Sequence, residues 1–178
     1  MFKKIIVILL VLVFAFGGFV AYRPAIYRVE RSAVVRAPAA EVYSRVADLT
    51  KWEGWSPWAK LDPAMKVDYS GTPGTVGSTY HWKGNDKVGE GRMTVKGLTP
   101  DRQVVIELQF LKPWEQTSLT TFDLAPDPAG TKVTWSMSGQ HDFIGKLFAV
   151  FMDMDKMVGP DFEKGLSALK AQAAQAAP

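Results

Sequence analysis

The chain has 178 residues and no cysteine, so disulfides, thiolate metal sites and cysteine nucleophiles are excluded. It carries 21 basic and 18 acidic residues, but residues 1–22 hold two lysines and no acid, which leaves 19 against 18 in the remainder. This nearly neutral remainder contains no run of Lys or Arg, so binding to a nucleic-acid backbone is not expected.

The first feature along the chain is the uncharged stretch Ile5–Tyr22, which follows Lys3 and Lys4. As a helix it would be about 27 Å long, close to the hydrocarbon core of a bilayer, whereas strands are rarely longer than about 10 residues. The alternative is a cleaved secretory signal, but its one acceptable site, Ala15-Phe16-Gly17, lies inside the apolar run. We therefore predict a membrane anchor over residues 1–22, a linker over 23–28 and one domain over 29–178.

The charges on either side of this stretch bear on its orientation. A short basic amino-terminal tail usually stays in the cytoplasm, although Arg23, Arg28 and Arg31 compete with Lys3 and Lys4 for that side. We expect a single-pass protein of the inner (cytoplasmic) membrane with its carboxyl-terminal domain in the periplasm or outside the cell.

After the anchor, residues 27–35 are β-branched and extended in pattern, which predicts a strand. Pro38 then offers a helix start, and the apolar residues that follow recur at helical spacing as far as Asp48. A second short helical segment is predicted over residues 49–54, before the proline of Trp55-Ser56-Pro57-Trp58.

The middle of the chain reads as strands separated by turn residues. Short spacers rich in Gly, Pro, Asn and Asp predict an antiparallel meander, whose strands are 65–69, 77–83, 89–98, 103–111, 116–125 and 131–140. Alternation places Val104, Ile106, Leu108 and Phe110 on one face of their strand, so one side of the sheet is apolar and must be covered.

The predicted cover is a long carboxyl-terminal helix. Phe162, Leu166 and Leu169 recur at i, i+4 and i+7 with charged residues outside that stripe. Since proline removes a backbone donor, Gly159-Pro160 predicts a break or kink between residues 143–158 and 161–174.

Three segments carry a resemblance to a known family. They are Val34-Val35-Arg36-Ala37-Pro38-Ala39-Ala40-Glu41-Val42-Tyr43, Asp48-Leu49-Thr50-Lys51-Trp52-Glu53-Gly54-Trp55-Ser56-Pro57-Trp58, and Gly159-Pro160-Asp161-Phe162-Glu163-Lys164-Gly165-Leu166 with Leu169-Lys170. These segments resemble the START-like polyketide cyclase/dehydratase and lipid-transport (SRPBCC) superfamily. The resemblance covers residues 27–175. It implies an α+β helix-grip fold, in which a curved antiparallel sheet wraps around a long carboxyl-terminal helix and encloses a cavity.

The resemblance and the strand alternation together suggest which residues line that cavity. They are Tyr80, Trp82, Met93, Val95, Ile106, Leu108, Phe122, Trp135, Met137, Phe148, Phe151, Met152 and Phe162. The alternative is that these residues fill a solid core. Trp52, Trp55 and Trp58 could form the cavity wall, wedge the small helices against the sheet, or insert among lipid headgroups.

Residues with catalytic potential are few. His81 and His141 lie in neither a zinc-protease motif nor a nucleophile elbow, and Asp153 and Asp155 point in different directions on a helix, so neither a metal nor another cofactor is expected. The best acid/base candidates are Glu90, Arg92 and His81.

Glu90 and Arg92, however, alternate with the apolar Met93 and Val95, which would make them a surface pair if the apolar face is the inner one. Binding of a small hydrophobic molecule or lipid is therefore the favoured function. A cyclase/dehydratase-type enzyme and a non-catalytic interaction or envelope-stress module are the alternatives.

Overall fold

A computed structural model describes residues 2–175; Met1 of the predicted anchor and residues 176–178 of the predicted domain lie outside it. The helices are α1 (Phe2–Tyr22), α2 (Ala39–Ala47), α3 (Phe143–Phe148) and α4 (Met154–Gln175), with 3-10 turns at Leu49–Gly54 and Pro57–Lys60. The strands are β1 (Ile26–Val35), β2 (Lys66–Ser70), β3 (Thr79–Lys83), β4 (Glu90–Thr99), β5 (Gln103–Lys112), β6 (Gln116–Asp127) and β7 (Gly130–Gln140).

All seven strands form one antiparallel sheet in the order β1-β7-β6-β5-β4-β3-β2. Only β1 departs from sequence order: it forms one edge of the sheet and pairs with the last strand, β7, whereas β2 forms the opposite edge. A register shift between Val95 and Gly97 interrupts the β4–β5 pairing, and such bulges bend a sheet. The predicted α+β helix-grip architecture is confirmed.

The sheet has two distinct ends. The end where β1 begins, here named the anchor end, contains Ile26 and its partner Gln140, then Gln116, and finally the paired Lys112 and Glu90. The opposite, far end of the inner face lies beneath α2 and the first 3-10 turn.

Burial is complete at the far end. Val42 and Val46 of α2 are fully buried, and the residues that they and the first 3-10 turn cover include Val104, Ile106 and Phe122. Trp52 and Trp55 meet the Phe122 ring edge-on, with centroids 5.6 and 6.0 Å away. This half of the domain is a solid core.

Helix α4 packs against β1 and β7 through the apolar stripe predicted from the sequence. Phe162, Leu166 and Leu169 are all at most 2% exposed. The Phe162 ring stacks on Trp135 at 4.1 Å between centroids and an interplanar angle of 8°. Gly165 permits this approach, because a Cβ there would lie 2.6 Å from Trp135 Cζ3.

The break predicted at Gly159-Pro160 is wrong, and the kink given there as the alternative stays a prediction. Helix α4 begins at Met154 and continues through Pro160; the chain leaves helical structure earlier, between α3 and α4. Asp153 supplies the start, since its carboxylate accepts hydrogen bonds from the backbone N–H groups of Asp155 (3.0 Å) and Lys156 (3.4 Å). Gly159 has another role: the guanidinium of Arg31 occupies the position that a Cβ at residue 159 would take.

Helix α1 projects from the anchor end. Within the described residues it is the one helix long and apolar enough to cross a membrane, and Val20 is its one buried residue. Its last turn contacts α3, where Lys146 Nζ donates a hydrogen bond of 3.0 Å to the carbonyl of Ala21.

Candidate functional site

A cavity of about 760 Å³ lies between the sheet and helices α3 and α4. This volume falls within the range of about 300–1,000 Å³ typical of small-molecule sites. The cavity occupies the part of the inner face that α2 leaves uncovered, and its lining is predominantly apolar. Nine residues predicted from the sequence lie around it: Tyr80, Trp82, Met93, Leu108, Trp135, Met137, Phe148, Met152 and Phe162.

Strand alternation accounts for the floor and one wall. Met93 and Leu108 are direct partners on β4 and β5, and both point to the inner face. Trp82 lies over Gly91, meets Phe110 edge-on at 6.0 Å, and donates its indole N–H to the carbonyl of Val88 at 3.0 Å. This bond fixes the ring as a wall of the cavity.

Four predicted lining residues lie away from the cavity. Val95, Ile106 and Phe122 are completely buried in the far-end core, and Phe151 is 77% exposed in the connection before α4. Alternation correctly assigned the first three to the inner face, but it contains no information about which end of that face the helices cover. Phe151 was placed on a helix that the chain does not form there.

The three tryptophans have different roles. Trp52 and Trp55 are wedges, 3% and 1% exposed, whose indole N–H groups donate to the backbone carbonyls of Val46 (2.9 Å) and Arg45 (3.4 Å). Trp52 also reaches the cavity, and Trp58, half-buried, forms part of its wall. The wall and the wedge interpretations are therefore each correct for part of the set.

The anchor end of the cavity is polar, a feature that the sequence analysis missed. Tyr27 Oη and Ser118 Oγ are hydrogen-bonded at 2.7 Å, Gln116 Nε2 lies 3.5 Å from Tyr27 Oη, and the His141 ring is 4.6 Å from the Tyr27 ring. The Tyr27 ring occupies the space above Gly139, its partner in β7. A large aromatic residue opposite a glycine is the signal that could have revealed this packing.

Two further polar groups are enclosed near the cavity. Desolvation raises the pKa of Tyr80 to about 12. Trp135 Nε1 is buried and has no hydrogen-bond partner among residues 2–175, a situation that costs about 1–3 kcal/mol.

The acid/base candidates Glu90, Arg92 and His81 lie on the outer face of the sheet. Glu90 accepts a hydrogen bond from Lys112 Nζ at 2.9 Å, which lowers the pKa of its carboxyl, and His81 Nε2 is 3.5 Å from the other Glu90 oxygen. Arg92 is exposed. Because these groups face away from the cavity, the structure gives them no contact with a molecule inside it.

No cluster of three or more His, Asp or Glu side chains that could hold a metal ion occurs in the described part of the chain. A second depression, of about 500 Å³, lies on the outer face near the anchor end and is lined mainly by polar residues, among them Glu107, Glu115 and Asp142. The apolar cavity is the stronger candidate for a ligand site, since enclosed apolar surface is what retains a small molecule.

Comparison with solved structures supports the fold. Protein MLL2253 from Mesorhizobium loti is similar at a TM-score of 0.62 and 15% identity, over 85% of this chain and 100% of that one. The di-domain ARO/CYC StfQ from the steffimycin biosynthetic pathway gives a TM-score of 0.62 at 11% identity, over 85% of this chain and 51% of that one. Ara h 8.0201 gives 0.57 at 13% identity, over 84% and 99%.

Sequence similarity is found to a family of proteins but not to an individual curated protein. Among curated proteins, none matches this sequence. The family described as polyketide cyclase/dehydrase and lipid transport matches residues 27–174, which is the whole segment from β1 to the end of the described α4 apart from single residues at its limits. The chain therefore belongs to the polyketide cyclase/dehydrase and lipid transport family.

Proposed function

We propose that the chain binds a small hydrophobic molecule or lipid in the cavity between the sheet and α4. The observation that carries this proposal is the cavity itself, about 760 Å³ and lined chiefly by aromatic, aliphatic and methionine side chains. Removing apolar ligand surface from water contributes about 25 cal/mol per Å², which provides affinity without a catalytic group. Met137, Met152, Met154 and Met157 line the cavity as well, and flexible thioethers adapt to ligands of different shape.

The polar cluster at the anchor end suggests that the ligand carries one polar group. Tyr27 and Gln116 line the cavity there with hydroxyl and amide groups, while the rest of the lining is mostly apolar. An amphiphilic molecule with its polar end against Tyr27 fits this distribution of groups.

In the same proposal, α1 tethers the domain to the inner membrane with the domain in the periplasm. Apart from Val20, the apolar side chains of α1 are not buried by the rest of the protein, as expected of a helix that lipid surrounds. Lys3 and Lys4 precede the span and favour a cytoplasmic amino terminus.

Binding can be tested on the fragment 23–178, because the residues of the main buried cluster all lie between Val29 and Ala173. Titration with an apolar fluorescent probe in detergent-free buffer should give saturable binding at one site per chain. A folded fragment that leaves the probe in water would contradict the proposal and favour the non-catalytic interaction module.

A cyclase/dehydratase-type activity is a second candidate, and one observation favours it. His141 lies against Tyr27 at the polar end of the cavity, where an imidazole could exchange a proton with a bound carbonyl compound. If the chain is such an enzyme, His141→Gln should abolish turnover and leave probe binding intact.

A further inference from the structure

The mouth of the cavity is surrounded by exposed apolar side chains, here named the apolar rim. Its members come from α3, from the connection between α3 and α4, and from the β5–β6 turn: Trp114 (74% exposed), Phe143 (55%), Ile144 (60%), Phe148 (52%), Phe151 (77%) and Met152 (45%). The surfaces of soluble proteins rarely expose so many large apolar side chains in one place. Such apolar patches mark sites where a protein binds another protein, a membrane or a ligand.

The rim lies beside the carboxyl-terminal end of α1. Three residues, Arg23, Pro24 and Ala25, separate α1 from β1, and they can extend roughly 10–14 Å. Two hydrogen bonds reduce this freedom further: His141 N donates to the carbonyl of Ala25 at 2.8 Å, and Lys146 Nζ donates to that of Ala21 at 3.0 Å. A bilayer containing α1 would therefore lie directly against this end of the domain.

Basic and acidic groups both surround the rim. Arg23, Lys112 and Lys146 carry exposed or half-buried basic groups at the anchor end, where they could contact lipid phosphates. Carboxylates are present as well: the exposed Glu115 follows Trp114, and Glu90 pairs with Lys112 at 2.9 Å. Asp142 and Asp153 are each engaged at a helix start, accepting from Gly145 N (2.6 Å) and Asp155 N (3.0 Å). Partial positive charge at those helix ends offsets the two acidic groups.

We propose that the apolar rim docks into the bilayer that α1 occupies, so that the cavity opens onto the lipid interface and its ligand passes between bilayer and cavity without crossing water. This inference rests on the proposed function for the identity of the site, and it adds the partner and the route of entry. Trp114 and the Phe side chains are the residue types that favour the interfacial layer.

The absence of cysteine makes a direct test possible. Single cysteines replacing Phe143 or Phe151, neither of which lines the cavity, would carry a nitroxide label in the full chain reconstituted into phosphatidylethanolamine and phosphatidylglycerol vesicles. Val76→Cys is the matched control, because Val76 is also apolar and 60% exposed but lies in the β2–β3 connection at the far end.

Labels at positions 143 and 151 should relax readily with lipid-soluble oxygen and be shielded from a water-soluble nickel complex, and the label at 76 should show the reverse. Equal exposure of all three labels to the nickel complex would overturn the proposal. This result is separable from the proposed function, because probe binding by fragment 23–178 tests the cavity without any bilayer.

A functional readout distinguishes lipid docking from docking of another protein. The double variant Phe143→Glu/Phe151→Glu in the full chain should take up a fluorescent lipid from the same vesicles at least tenfold more slowly than the native chain, whereas Val76→Glu should not. Both variants, as 23–178 fragments, should bind the soluble probe normally. Unchanged uptake by the double variant would contradict docking of the rim to lipid.

Discussion

Placing one carboxylate on the cavity floor tests whether a ligand occupies the cavity. Leu108 lies in the middle of β5, between its partners Met93 and Ser118, and its half-buried side chain faces the cavity. We predict that Leu108→Glu weakens binding of an apolar probe strongly at neutral pH and weakly in acid.

The magnitude follows from proton linkage. When a bound ligand seals a carboxyl group from water, burying the neutral, protonated form costs less free energy than burying the charged form. The ordinary pKa of Glu is about 4.3. Protonation costs about 4.4 kcal/mol at pH 7.5, or about a thousandfold in affinity, but only about 1 kcal/mol, or about fivefold, at pH 5.0. Affinity should therefore recover as the pH falls.

The assay is probe titration at pH 7.5 and 5.0 with two controls. Leu108→Gln has nearly the same shape but no ionisable group, so its loss of affinity should not change with pH. Leu119→Glu places the carboxylate on β6, opposite Glu107 on the outer face, and should leave affinity unchanged. Native affinity of Leu108→Glu at pH 7.5, or a loss that is the same at both pH values, would refute this reasoning.

Two further predictions concern α4. Gly165→Ala should lower the free energy of unfolding by about 1–2 kcal/mol in denaturant titrations, because the added Cβ meets the immobilised ring of Trp135 and this overpacking exceeds the gain in helix propensity. Gly159→Ala should lower the free energy of unfolding less, since the guanidinium of Arg31 can move into solvent. An equal loss at both sites would contradict the account. Arg31→Met should lower the thermal midpoint of unfolding most at pH 5–7. Hydrogen bonds from Arg31 lower the pKa of the Asp155 carboxyl in the folded protein. The pair therefore stabilises the fold above the unfolded pKa of about 3.9, and this stabilisation is lost as the pH falls through the lowered pKa of the folded state. A difference between native and variant midpoints that stays constant down to pH 3 would show that Asp155 is not the partner that matters.

Local sequence signals were sufficient for the sheet. The strand predicted over residues 103–111 is observed as Gln103–Lys112, and that predicted over 131–140 as Gly130–Gln140. Alternation within each strand and turn residues between them are properties of neighbouring residues, so they can be read without knowing the fold. The apolar stripe of Phe162, Leu166 and Leu169 is local in the same sense.

The cavity and the helix boundaries depend on contacts between distant residues, and here the sequence was less informative. Val95 and Leu108 have the same pattern, yet the first is fully buried in the far-end core and the second lies beside the cavity. Pro160 predicted a break because proline removes a backbone donor, yet α4 continues through it and the chain leaves helical structure before Met154. Nothing near Gly159 in the sequence reveals the close approach of Arg31, which lies on β1. The sequence placed Glu90 and Arg92 on the surface if the apolar face of the sheet is the inner one. The apolar face does face the cavity, and both residues lie on the outer face.

The most direct test of ligand binding is native mass spectrometry of fragment 23–178 purified from cells without detergent, followed by solvent extraction of the same sample. We predict one small hydrophobic molecule per chain in the native fragment, retained in Leu119→Glu and absent from Leu108→Glu. A native fragment that is folded, carries no such molecule and takes up none when apolar probes are supplied would contradict the central claim.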